Sequence, residues 1–430
     1  MNRSEPPALA RGVVLLCAVA AVAVVASCRS TPEETVRFWA MGREGEVVAR
    51  LLSEFERSHP GIRVETQQLP WTAAHEKLLT AFAGDATPDL CQLGNTWLPE
   101  FAALGALEAL GRRVAASSII VPDDFFAGIW DTNVVAGALY GVPWYVDTRL
   151  LFYRRDLLAA AGYASPPASW GQWRDMMAAI KARAPPGRFA ILLPSDEVEP
   201  LLALALQQDM PLLRDGDRWG NFESEGFRRA LGFYVDTFRE GYAPATSGND
   251  IANVWNEFGR GRFVFYVSGP WNIEEFKRRL PADAQQSWAT APLPGPTGPG
   301  ASIAGGSSLV VFRGSRHKDA AWQLIEFLSR PDIQARFHQL TGDLPPRRAA
   351  WLDPGLVHDV YAGAFRDQLE RVRPLPKVAE WERIADQIRA IAERTVAGQM
   401  TVDQAAKTID DRADAILEKR RWMLTRGALK

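Results

Sequence analysis

The chain has 430 residues, 47% apolar and 23% charged, with a formal net charge of −2 at pH 7. That length supports large cores and two or three units. The near balance of charge gives no electrostatic reason to expect a nucleic-acid partner, since a phosphate backbone needs a concentrated basic surface.

Residues 1–27 differ from everything after them. Arg3 and Arg11 precede an apolar run over 12–25, and small residues follow before Cys28. A run of about fourteen apolar residues is shorter than the roughly twenty a bilayer span requires, and the charge, length and small-residue exit read as a secretory signal. The exit Val25-Ala26-Ser27-Cys28 resembles the bacterial lipoprotein signal. That resemblance implies that Cys28 becomes the acylated mature N-terminus and that 28–34 form a short tether to the membrane. Cys17 then leaves with the signal, and only Cys91 remains in the fold. No disulfide can form within one chain, and Cys91 is expected as a small buried residue of a strand.

The mature part opens with a strand over 36–40. Val47, Val48, Leu51, Leu52 and Phe55 then fall on one helical face, stopped by His59-Pro60-Gly61. Ile62, Val64 and Thr66 alternate as a second strand, and Leu78, Leu79 and Phe82 face inward from a helix that ends at Gly84. A strand over 89–93 follows. This alternation predicts an α/β layer fold with parallel strands. Further on, Ser169 with Gln172 and Thr401 with Gln404 have capping-box spacing. Residues 292–300, rich in proline and glycine, predict a surface loop or crossover, and two helices between 319 and 340 are predicted to part at Pro331.

Ligands of α/β lobes sit beyond the carboxyl ends of the strands. Candidates there are Arg43 and Glu44 after the first strand, and Asn95, Thr96 and Trp97 after the third. The segment 139–148 is the densest aromatic and acidic cluster; Trp144 fits the core of a buried strand, whereas Tyr145 and Asp147 suit either a core or a ligand. The five histidines are scattered without metal-ligand spacing, and no Cys-x-x-Cys is present, so neither metal nor other cofactor is expected. A P-loop and a dinucleotide fingerprint are absent, and Gly305-Gly306-Ser307-Ser308 lacks the second flanking glycine of a nucleophile elbow. A pair of carboxylates acting on a glycoside stays open, because their separation is not written in the sequence.

The stretches FWAMGREGEVVARLLSEFERSHPGIRV, GDATPDL, LYGVPWYVDTRLLFYRRDLL, PPASWGQW, FGRGRFVFYVSGPW and GASIAGGSSLVVFRGSRHKDAAWQLIEFLSRP resemble, in this order, the family-one extracellular solute-binding proteins of carbohydrate ABC importers. The resemblance implies two α/β lobes joined by crossing segments with the ligand clamped between them. On that pattern 35–142 and 290–343 form the N-terminal lobe, 143–289 and 344–430 the C-terminal lobe, and crossings lie near 142–147, 289–294 and 342–346. It further implies a monomer that binds a small sugar outside the cytoplasm and delivers it to permease subunits served by a cytoplasmic ATPase. Glu44, Asn95, Tyr145 and Asp147 match ligand positions of maltose- and trehalose-type members, although an aspartate is common where Asn95 stands. Trp271 matches an aromatic after the SGPW turn and suits either a stacking platform or a helix-start core position. Gly305, Gly306 and Ser307 match a turn that lets backbone donors approach ligand, Arg347 follows a crossing and suits either a hydroxyl or solvent, and Trp71 is placed on the rim. A solute such as glycerol phosphate, and a secreted glycoside hydrolase, are the alternatives.

Overall fold

The strand Glu34–Met41 (β1) forms where Val36, Phe38 and Ala40 alternate inward from the more exposed Thr35, Arg37 and Trp39. Around it the computed structural model describes residues 34–245, 251 and 253–427. The expected secretory signal, the expected acylation site Cys28 and the expected tether before Glu34 lie outside the described residues. Strand β1 pairs in parallel with Ile62–Leu69 (β2) and Leu90–Gly94 (β3). The sheet is extended by Val142–Asp147 (β4) and, much later in the chain, by Gly305–Val311 (β9), in the order β2-β1-β3-β9-β4. Strand β9 runs antiparallel to both neighbours, a departure from the all-parallel expectation.

A second sheet holds Leu150–Arg154 (β5), Phe189–Leu192 (β6), Phe263–Ser268 (β7) and Trp288–Ala291 (β8) in the order β8-β5-β7-β6. Each sheet is covered by helices that supply its core. On the first, the helices Lys318–Leu328 and Pro331–Thr341 bring Leu324, Ile325 and Phe337 against Phe38, Phe55 and Trp144. On the second, Trp170–Arg183 and the C-terminal Trp381–Val396 bring Trp173, Ile180, Trp381 and Ile388 against Leu151 and Phe265. Thr401 and Gln404 make both bonds of a capping box. Ser169 accepts from the Gln172 amide, but Gln172 Oε1 takes the Ala168 N–H instead of closing the box.

The chain crosses between the sheets at Thr148 and Arg149, again over 292–304, and again over 342–346, where the Val146 amide donates to the Leu344 carbonyl at 2.9 Å. Two expected boundaries therefore move. The segment 143–147 belongs to the first sheet because β4 hydrogen-bonds β9 along its length, so the first crossing follows Asp147 instead of occupying 142–147. The first lobe likewise resumes at Gly305 rather than at 290, since β8 is held by β5 as far as Ala291. Cys91 is fully buried, and burial pushes its thiol far above the ordinary range. Among the described residues no helix is long and apolar enough to cross a membrane.

Candidate functional site

Between the lobes lies a cleft of about 540 Å³, within the range of small-molecule sites. The first lobe lines it with Glu44, Trp71, Asn95, Thr96, Trp97, Tyr145, Asp147, Gly305, Gly306 and Ser307, and the second contributes Trp271. All of these were candidates from the sequence. Arg149, Glu199, Asp343, Trp381 and Glu382 also line it and were not anticipated.

Glu44 reaches the cleft because Gly42, at φ +53°, turns the chain sharply from β1 into the helix Gly42–Val47. A side chain at Gly42 would meet Trp71 Nε1 and Glu44 Oε2 at 2.9 Å, so the glycine leaves room for both. Trp71 in turn packs edge-on against Trp97, with ring centroids 5.6 Å apart. Behind this wall Gln92 accepts from the Met41 amide at 2.7 Å and donates to the Tyr145 hydroxyl at 3.0 Å. Ser307 also donates to that hydroxyl at 3.0 Å. The Tyr145 hydroxyl is thus held at the cleft wall, and burial, then the charge of Glu44, raises it well above its ordinary value.

Asn95 was expected to offer its amide to ligand. Its Nδ2 instead donates to the Ala304 carbonyl at 2.7 Å, and its backbone N–H to Gly306 at 3.1 Å. The residue thus ties the second crossing to β3. Gly305 and Gly306 are not a turn but the first residues of β9. Added Cβ atoms there would fall 2.3 Å from the Asp147 and Tyr145 carbonyls, so the missing side chains admit the neighbouring strand.

On the second lobe Trp271 begins the helix Trp271–Arg279, folded back over Gly269. Arg149, on the first crossing, lies 4.9 Å from the Trp271 ring centroid, an attractive cation–π distance. Its guanidinium bonds Asp147 at 2.6 Å, with Glu197 at 3.6 Å and Glu199 at 3.8 Å. The surrounding carboxylates hold its charge firmly in place against burial. At the far edge Thr96 and Glu382 line the cleft from opposite lobes, and burial raises the Glu382 carboxyl. Burial raises the carboxyls of both Glu44 and Asp343, Asp343 well above its ordinary value with the charge of Glu44 adding to the effect. Among the lining residues Glu44, Asp147, Glu199, Asp343 and Glu382 face a single cation, Arg149.

Trp144, Arg43 and Arg347 are not brought to the cleft. Trp144 is the extra residue of a bulge, since Ser307 opposes Tyr145 and Ser308 opposes Pro143. It is buried in the first core, stacked on Phe337 at 4.5 Å. Arg43 turns outward to the Leu340 carbonyl at 3.0 Å. Arg347 is buried where Asp124 Oδ2 and the Ser329 carbonyl take its N–H groups at 2.6 and 2.7 Å, a structural clamp below the third crossing.

The model of the bacterial extracellular solute-binding protein family matches residues 41–335. The structure is similar to that of the sugar-binding protein MalE from Xanthomonas citri, with TM-score 0.88 and 58% identity over 91% of this chain and 99% of that one. It is also similar to the maltose-bound MalE3 of T. maritima, with TM-score 0.76 and 26% identity over 89% of this chain and 99% of that one. An uncharacterized lipoprotein of Streptomyces antibioticus is 30% identical over 80% of this chain and 77% of its own. Two helix-covered sheets joined by three crossings, a cleft lined from both lobes and the span of the match together identify the chain as a member of the bacterial extracellular solute-binding protein family.

Proposed function

We propose that this protein captures a neutral disaccharide or short oligosaccharide outside the cytoplasmic membrane and hands it to the permease of an ATP-driven importer, with maltose and trehalose as the leading ligands. The observation that carries this reading is the lining of the cleft. Trp71 and Trp97 on one lobe and Trp271 on the other offer flat apolar faces, and carboxylates stand between them. Sugars present the complementary surfaces, C–H faces and hydroxyl edges. An anion fits poorly, because Arg149 is already engaged by Asp147 and acidic groups surround it. Glycerol phosphate is disfavoured on that ground.

The similarity to sugar-binding MalE from Xanthomonas citri supports the ligand class. The three crossings support delivery: a ligand touching both lobes favours the closed arrangement, and closure is what a permease can recognise. The leader ending at Cys28 and the similarity to a lipoprotein support a lipid-anchored monomer. Thermal unfolding of the chain from Arg29 onward, against neutral sugars, sugar acids and glycerol phosphate, tests the reading. A sugar at a hundred times its Kd should stabilise the fold by about 2.7 kcal/mol and be recovered intact. A midpoint raised by glycerol phosphate alone, or cleavage of the sugar, would reject it.

A further inference from the structure

The second lobe carries an apolar cup of about 130 Å³, walled by Leu157, Ala161, Ile180, Phe189 and Val264. Phe189 opens β6, and Val264 is the second residue of β7, whereas Trp271 of the cleft follows the end of β7. The two strands run parallel, so the cup and the cleft lie at opposite ends of the second sheet, ~20 Å of strand apart. They share no lining residue.

Local sequence builds the cup. Pro185-Pro186-Gly187 follows the helix Trp170–Arg183, and the chain turns back into β6 with Gly187 at φ +80° and the Arg188 amide donating to the Pro185 carbonyl at 3.2 Å. Gly261, at φ +73°, passes against Leu157; a Cβ there would fall 2.8 Å from Cδ1, so the glycine leaves Leu157 its place in the wall.

Charge at the cup is one-sided. Arg183 and Arg188 stand among its lining residues, and no acid does. Arg183 donates one N–H to the Ala161 carbonyl at 2.8 Å. The Arg188 side chain has no hydrogen-bond or ion-pair partner among the described residues. Two acids of the adjoining helices are already paired, Asp156 with Arg154 at 2.6 Å and Glu257 with Arg262 at 3.2 Å. The cleft shows the reverse, with five carboxylates lining it beside the single cation Arg149.

An apolar space of this volume takes a group about the size of a benzene ring. An unpaired guanidinium at its rim selects a carboxylate, whose two oxygens match the guanidinium fork. We infer that the cup is a second ligand site, for a small carboxylate bearing an aryl or branched alkyl group. The apolar body enters among Leu157, Ile180 and Val264, and the carboxylate stays at the rim on Arg188. A neutral hydrophobe would leave the arginines unused, and a bare inorganic anion would leave the apolar wall unused. The site goes beyond the sugar reading and does not depend on it.

Phenylacetate titrated into protein labelled at isoleucine and alanine methyl groups, followed by NMR, tests the assignment. The Ile180 and Ala161 signals should shift saturably, with a Kd on the order of 1–10 mM for a ligand of this size, while Ile303 of the cleft stays in place. Benzyl alcohol, the neutral counterpart, should bind about two- to fivefold more weakly, the share expected of one exposed charge pair, and Arg188→Ala should bring phenylacetate down to the same level. Added salt should narrow the difference. Ala160→Phe puts a ring into the cup's lining and should abolish the Ile180 shift; thermal unfolding checks that this variant folds. No saturable shift in the wild type, benzyl alcohol binding as tightly as phenylacetate, or an undiminished shift in folded Ala160→Phe would each overturn the inference. Failure of every sugar to bind would reject the sugar reading and leave the cup untouched.

Discussion

Gly269→Ala should remove the Trp271 platform without altering Trp271. A Cβ at Gly269 would fall 1.9 Å from Cζ3, 2.3 Å from Cη2 and 2.6 Å from Cε3 of that ring. Those separations are far inside contact, and the half-buried indole at the cleft edge is the part free to leave. Gly269 lies outside the left-handed region, so alanine adds no backbone strain. A tryptophan face covering on the order of 80 Å² of sugar contributes about 2 kcal/mol at about 25 cal/mol per Å². At about 1.4 kcal/mol per decade, affinity should fall about 30-fold. Calorimetry with maltose on the wild type, Gly269→Ala, Trp271→Ala and the double variant reads this directly. The two single variants should lose similar affinity and the double variant no more than either, because both act on one ring. Wild-type affinity in Gly269→Ala, or a double variant losing the sum of both effects, would refute the reasoning.

Asp147→Ala removes the 2.6 Å partner of Arg149 but leaves Glu197 and Glu199 beside it. The fold should survive, while maltose affinity drops at least about tenfold, as expected for a hydrogen bond to a charged group of about 1.5–3 kcal/mol; calorimetry beside urea unfolding separates the two. Trp144→Ala should cost about 3–5 kcal/mol of stability by urea unfolding, with little change in the affinity of the folded protein, since Trp144 is core. Cys28→Ser should shift the protein from the membrane fraction to the soluble fraction after cell lysis, with sugar binding retained.

Much of the first lobe was legible because its strands and helices follow one another in short units with clear punctuation, as at His59-Pro60-Gly61 and Gly84. Glu44, Asn95 to Trp97 and Tyr145 were legible because they follow strand ends or the densest aromatic cluster. Strand β9 was not seen as an antiparallel insertion, since pairing partners separated by some two hundred residues leave no local trace. Trp144 and Tyr145 are neighbours that a simple alternation separates, and only the bulge opposite Ser307 and Ser308 explains their contacts. Arg347 reads as an exposed cation until Asp124, far earlier in the chain, is brought against it.

Signals for the missed residues existed but were weak. Glu199-Pro200 opens a helix as an acid before proline does, and Trp381-Glu382 begins one after the proline-bearing segment 374–376. Asp343 follows the helix-stopping Gly342. Each signal locates a helix end, but none says that the end faces a cleft.

The place of β9 also sets the order in which the molecule can be assembled. Strands β5 to β8 all precede it, so every strand of the second sheet has left the ribosome before the first sheet receives its fifth and last member. Until residues 305–311 arrive, β3 and β4 have open edges facing each other across a missing strand. Such a late, long-range closure is slow to form. The first half of the chain therefore cannot lock into a finished lobe while the remainder is still being made.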